Sequence, residues 1–261
     1  MFSYSWWQRL GRVALAGSAL MLAACASVPP NAGQDRRDPL ESLNRQTFAF
    51  NDALDRAAIR PVAKAYADYL PDGVRECFGN AFSNLREPSN AVNNLLQGKP
   101  EAAVWSGVRL LLNSTFGLVG CFDVAGQSGI ERHPEDFGQT LGVWGFGTGA
   151  YLVLPVFGPS SVRDTTGLGV ETFLDPNFYM EEPAAAWGLA TARVINLRAE
   201  LLPADKLLDT ALDPYLAVRE AYFQRRRSLV YDGYAPLEIE PDEAPNPPAE
   251  PAPQAPAAEP H

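Results

Sequence analysis

Apolar residues recur at helical spacing through most of the chain between about residues 38 and 234. Leu40, Leu43, Thr47, Phe50 and Leu54 predict a first helix running to about Ala58, with Asp38 as its cap and Pro39 at its first position. Pro61 opens a second helix carrying Val62, Ala65, Tyr66, Tyr69 and Leu70, which Pro71-Asp72-Gly73 breaks. Further breaks fall at Glu87-Pro88-Ser89 and Gln97-Gly98-Lys99-Pro100. Pro100 then starts the clearest amphipathic helix, with Val104, Val108, Leu111, Leu112 and Thr115 in one stripe, joined by Trp105 and Phe116. Most apolar stripes face a core, and that is the expectation here. Pro183, Pro203 and Pro214 each start a helix in the last third. Arg225-Arg226-Arg227 near the end of the last one suit a solvated helix C-terminus.

The stretch 137–162 breaks this pattern. It has no charged residue and is rich in large apolar side chains, yet Gly138, Gly142, Gly145, Gly147, Gly149 and Pro155 rule out a straight helix. Two readings stand side by side: a hairpin buried in a core, or a segment seated in lipid or bordering a lipid path, where irregular backbone must pack on protein or line a cavity.

The ends of the chain set its compartment. Arg9 and Arg12 precede an apolar run from Val13 to Ala24, too short to span a bilayer, and Leu22-Ala23-Ala24-Cys25 follows. This layout resembles a bacterial lipoprotein signal, which implies cleavage before Cys25 and a lipid anchor on that cysteine. Ala26 in the next position, in place of Asp, implies delivery to the outer membrane. Residues 1–24 are then the signal peptide, 25–37 a lipidated tether and 38–234 one domain with a single core. Residues 235–261 form a Pro/Ala/Glu-rich tail that cannot bury enough apolar surface to order itself.

A formal net charge of −10 argues against nucleic acid as a partner, because phosphate binding needs a basic surface. With Cys25 lipidated, Cys77 and Cys121 remain. In an oxidising periplasm they are expected to pair, the alternative being two free thiols. There is no GxSxG elbow, no HExxH or Cys/His cluster and no P-loop. His133 is the only histidine of the domain. After Pro159-Ser160-Ser161, Arg163-Asp164 reads as a helix cap with a local ion pair. Neither a catalytic site, a metal nor a cofactor is expected.

Several stretches together resemble one family, the VacJ-like or MlaA outer-membrane lipoproteins. They include Asp38 to Arg45 with Phe48 to Asn51, Arg60-Pro61-Val62-Ala63, Phe82 to Pro88, and Asn113 to Gly117 with Phe122 to Gly126. They continue through Phe137 to Gly142, Tyr151 to Pro155, Phe157 to Ser160 with Arg163-Asp164, and Asp213-Pro214-Tyr215 with Arg219 to Tyr222. The resemblance implies a mainly α, ring-shaped single domain lying in the inner leaflet of the outer membrane, with the Gly/Pro-broken segment as an apolar hairpin. It implies non-enzymatic removal of mislocalised glycerophospholipids from the outer leaflet. The partners it implies are a trimeric porin and a soluble periplasmic carrier that feeds an ATP-driven inner-membrane complex. A structural adaptor for a porin and an atypical phospholipase are the alternatives. Such a path needs an apolar wall for acyl chains and a polar strip for the head group. Trp144, Phe146, Tyr151, Leu152, Leu154 and Phe157 are the expected wall, and Arg163 the expected head-group contact.

Overall fold

The computed structural model describes residues 32–236, so the leader, Cys25 and most of the proposed tail lie outside the described residues. Within them the chain is mainly helical. Helix α1 (Glu41–Leu54) runs without a break through a π-helical turn (Asp55–Ile59) into α2 (Arg60–Tyr69). Pro61 therefore does not open a separate helix. It sits two residues past the π-turn, inside the continuous helical run. Next come α3 (Asp72–Leu85), α4 (Glu87–Leu96), α5 (Pro100–Thr115), a short α6 (Val124–Gln127) and α7 (Phe137–Val143). The hairpin of β1 (Tyr151–Leu154) and β2 (Gly158–Ser161) leads into α8 (Val162–Leu174). After a 3-10 turn (Pro176–Tyr179) the chain forms α9 (Pro183–Glu200), α10 (Asp205–Asp209) and α11 (Pro214–Val230). Among the described residues, no helix is long and apolar enough to cross a membrane.

The proline-marked helix starts at 100, 183 and 214 fall where the sequence places them. Side chains cap three starts: Asp136 accepts from the Gln139 amide, Ser161 from Asp164, and Asp213, ahead of Pro214, from Tyr215 and Leu216.

The polarity of the interior inverts the expectation from the stripe on α5. Val104, Leu111 and Phe116 point outward and are more than 60% exposed. The face turned inward is Ala103, Ser106, Arg109 and Asn113. Arg109 Nε lies 3.1 Å from Glu87, and Arg109 Nη2 lies 2.7 Å from Asp123, which also accepts from Asn113 at 2.9 Å. Asn113 Oδ1 in turn accepts from the Ala125 amide. These groups satisfy one another, as buried polar groups must. Asn90, Asn93, Asn94 and Thr140 continue the polar interior between α4 and α7, where Thr140 donates to Asn93 at 2.9 Å.

A small apolar core stands apart from this. Tyr151 and Val153, alternate residues of β1, pack on Tyr215 with Phe48, Tyr222 and Phe223 around them. The free edge of β1 is closed by asparagines two turns apart on α1. Asn44 donates to Tyr151 O and accepts from Val153 N, while Asn51 donates to Leu154 O and accepts from Val156 N. Segment 137–162 thus contains a hairpin packed on the core, as one of its two readings expects. The strands pack on the core, whereas Trp144, Phe146, Val156 and Phe157 in the connecting turns are exposed.

Candidate functional site

A cavity of about 620 Å³ opens between α3, the start of α4, α8, α9 and the last turn of α11. Its size suits a sizeable organic ligand or part of a larger one. Its apolar lining is Leu85 from α3, Leu168 and Leu174 from α8, and Leu189, Val194 and Leu197 from α9. Phe82, Phe178 and Phe157 add aromatic surface. Its polar lining is Arg86, Ser89, Asp136, Asp164, Glu171, Asp175, Arg193 and Arg226. The cavity is therefore lined by both apolar and charged groups.

Most of its charges are already neutralised. Arg226 meets Asp136 at 2.6 Å and Asp164 at 2.7 Å, and the Tyr222 hydroxyl also donates to Asp164. Burial alone would raise the Asp136 carboxyl. The Arg226 guanidinium and the Gln139 N–H groups outweigh it and hold the pKa at about 2. The Tyr222 hydroxyl is pushed well up, first by burial and then by the neighbouring Asp164 carboxylate. Arg193 reaches Asp175 at 2.6 Å.

Small residues make this polar lining possible. A Cβ on Gly167 of α8 would lie 2.5 Å from the Gly138 nitrogen of α7, so the two helices touch backbone to backbone. A Cβ on Gly138 would meet Asp164 and Arg226 at 2.7 and 2.8 Å. These two glycines let α7, α8 and α11 bring Asp136, Asp164 and Arg226 together.

The residues expected to form the wall are dispersed. Phe157 lines the cavity. Tyr151 is fully buried in the aromatic core, where its ring contacts Tyr222 and Phe223 at 5.5 Å, so it faces no path. Leu152 and Leu154 lie on the other face of β1, half-buried and outside the cavity lining. Trp144 and Phe146 are exposed at the surface, and the Trp144 indole N–H donates to Leu96 O. Arg163 is buried beside Asp164 at 2.9 Å, the local ion pair read from the sequence, and is not among the lining residues. Arg226, expected at a solvated end, is instead the central cation of the polar lining. Cys77 and Cys121 are joined in a disulfide that ties α3 to the loop after α5.

The sequence profile of the MlaA lipoprotein family matches residues 36–229, nearly all of the described residues. The chain belongs to the MlaA lipoprotein family. Among MlaA relatives it is 40% identical over 237 residues to the "Intermembrane phospholipid transport system lipoprotein MlaA" of Escherichia coli, spanning 89% of this chain and 92% of the relative. It is 33% identical to the protein of that name in Haemophilus influenzae, over 83% of this chain and 88% of the relative. A solved structure described by the words "Structural basis for maintenance of bacterial outer membrane lipid asymmetry" superposes with a TM-score of 0.67. It is 39% identical, and the match covers 75% of this chain and all of that one. The residues lining the cavity all lie within the range that the family profile matches.

Proposed function

We propose that this protein is a lipid-anchored, outer-membrane component that takes mislocalised glycerophospholipids from the outer leaflet and passes them inward. The carrying observation is the amphipathic cavity in a domain whose polar residues face inward. Leucines of α8 and α9 offer a surface for acyl chains, and the charged lining offers one for a head group. The exposed side chains of Val104, Leu111, Phe116, Leu118, Val119 and Phe122 suit a domain seated in lipid, because exposed apolar patches of this extent mark interaction or membrane surfaces. In this reading the lipid passes intact: the Asp136, Asp164 and Asp175 carboxylates of the cavity are each held by an arginine. The names of the relatives place them in an intermembrane phospholipid transport system, which supports transport as the role here. A trimeric porin beside it, a soluble periplasmic carrier below it and an ATP-driven inner-membrane complex complete the proposed route.

The full lipidated chain, reconstituted with a porin trimer in vesicles holding labelled phospholipid, tests this. A soluble periplasmic carrier is added and its lipid analysed by mass spectrometry. Intact phospholipid on the carrier is the expected result. Lysophospholipid or free fatty acid would replace the transporter reading with a phospholipase. Lipid that stays in the vesicles would favour a structural adaptor.

A further inference from the structure

Two charges in the cavity are left over when the others have been paired. Arg226 is matched by Asp136 and Asp164, and Arg193 by Asp175. Arg86, between α3 and α4, lines the cavity with no ion-pair or hydrogen-bond partner for its side chain among the described residues. Glu171 of α8 lines the same cavity, and no cation lies within ion-pair distance of it among the described residues. Neutral groups hold it: Oε1 accepts from Asn93 at 2.7 Å and from the Phe137 amide at 2.8 Å, and Oε2 from Ser89 at 2.5 Å. Ser89, three residues after Arg86 in the chain, is the hydroxyl that holds Glu171, and all three residues line the cavity.

An opposite pair that stays apart fits a ligand carrying both signs. A guanidinium takes a phosphate through two parallel N–H donors, and a carboxylate takes an ammonium. We infer that Arg86 and Glu171 form a head-group subsite for a zwitterionic phospholipid, with the phosphate on Arg86 and the ethanolamine ammonium on Glu171. The inference rests on the transport reading and adds a head-group preference to it. An anionic glycerol head group supplies the phosphate but offers Glu171 no cation. Arg86 then binds both lipid classes, and Glu171 distinguishes them.

The experiment uses the full lipidated chain with porin in vesicles containing phosphatidylethanolamine and phosphatidylglycerol in equal parts, and reads both lipids on the soluble carrier. The wild-type protein is expected to deliver several-fold more ethanolamine lipid. Glu171→Gln should lower ethanolamine-lipid transfer several-fold and bring the ratio near one. The substitution keeps an oxygen for Asn93 and Phe137 and turns an amide toward the Ser89 hydroxyl, so the local bonds persist. Arg86→Gln, at an exposed and unpaired position, should lower transfer of both lipids, and Arg86→Lys should restore part of it. Transfer with the same ratio in wild type and Glu171→Gln, or unchanged in Arg86→Gln, overturns the subsite and leaves transport standing. A wild-type protein that moves neither lipid overturns both.

Discussion

Arg109 and Glu87 meet at 3.1 Å with 1% and 0% of their side chains exposed. An ion pair so fully removed from water holds only when its remaining donors and acceptors are met. Arg109 also reaches Asp123 and the Ile130 carbonyl, and Glu87 accepts from Asn90. The pair binds α4 to α5 where a water-soluble bundle would place leucines. Arg109→Met leaves the Glu87 carboxylate with Asn90 and, at 3.6 Å, Arg132, and is expected to destabilise the fold by about 3 kcal/mol, at the low end for a broken buried pair. Adding Glu87→Gln to it should recover part of that loss. Chemical unfolding in detergent, followed by circular dichroism, checks this; a single variant as stable as wild type would show that the pair holds nothing together.

The Asp136 carboxyl is held at about 2, below its ordinary 3.8. A depressed carboxyl contributes stability that is complete above the unfolded value and is lost as pH falls through the folded one. The gap corresponds to roughly 2 kcal/mol. The stability difference between wild type and Asp136→Asn should be constant near neutral pH and shrink between about pH 4 and pH 2. Unfolding curves of both proteins across that range check it. A difference that stays constant through the window would place the stabilisation elsewhere.

These two sites show where the sequence was informative and where it was silent. Helix starts at Pro100, Pro183 and Pro214 were legible because proline sits well only in a first turn. The cap at Ser161 and its Arg163–Asp164 pair were legible because both are local. The direction of the α5 stripe was not: periodicity separates two faces of a helix without saying which one meets water, lipid or protein. Arg226 was read as a solvated end because its partners, Asp136 and Asp164, lie 90 and 62 residues away in the chain. The cavity itself is built from α3, α4, α8, α9 and α11, none of which carries a motif for it. The hairpin, conspicuous for lacking charge, contributes Phe157 alone to the lining.

The disulfide between Cys77 and Cys121 closes a loop with a sequence separation of 44. Constraining a loop of that size in the unfolded chain stabilises the fold by roughly 4 kcal/mol. Reduction, or replacement of both cysteines by serine, should lower the unfolding midpoint accordingly. Alkylation without reductant should label neither cysteine. Labelling of both in the unreduced protein, or an unchanged midpoint after reduction, would contradict this.

Gly167 sits where α8 crosses α7 at backbone contact, with a Cβ only 2.5 Å from Gly138 N and 2.8 Å from Gly138 Cα. Backbone cannot yield as a flexible side chain does, so Gly167→Ala must push the helices apart. The cost expected of such overpacking is about 1–3 kcal/mol. The same shift would move Asp164 relative to Asp136, so lipid transfer should fall along with stability. Gly169, two residues on, has no heavy atom within 4 Å of an added Cβ. Gly169→Ala is therefore the control, and equal behaviour of the two variants in thermal unfolding would refute the close-crossing argument.

Leu111 is 66% exposed on the outward face of α5, in line with Val104 and near Phe116. The proposed function makes that face the part of the domain that meets lipid. Leu111→Glu should leave stability in detergent nearly unchanged, because the side chain supports no core contact. Its transfer into an apolar layer would otherwise supply about 2 kcal/mol, so the variant should bind vesicles at least roughly tenfold more weakly. The measurement is flotation with phospholipid vesicles of a chain carrying Cys25→Ala, so that the anchor does not mask the effect. Equal flotation with and without Leu111→Glu would mean that α5 does not face the lipid. Unfolding of the variant in detergent would return the stripe to a core.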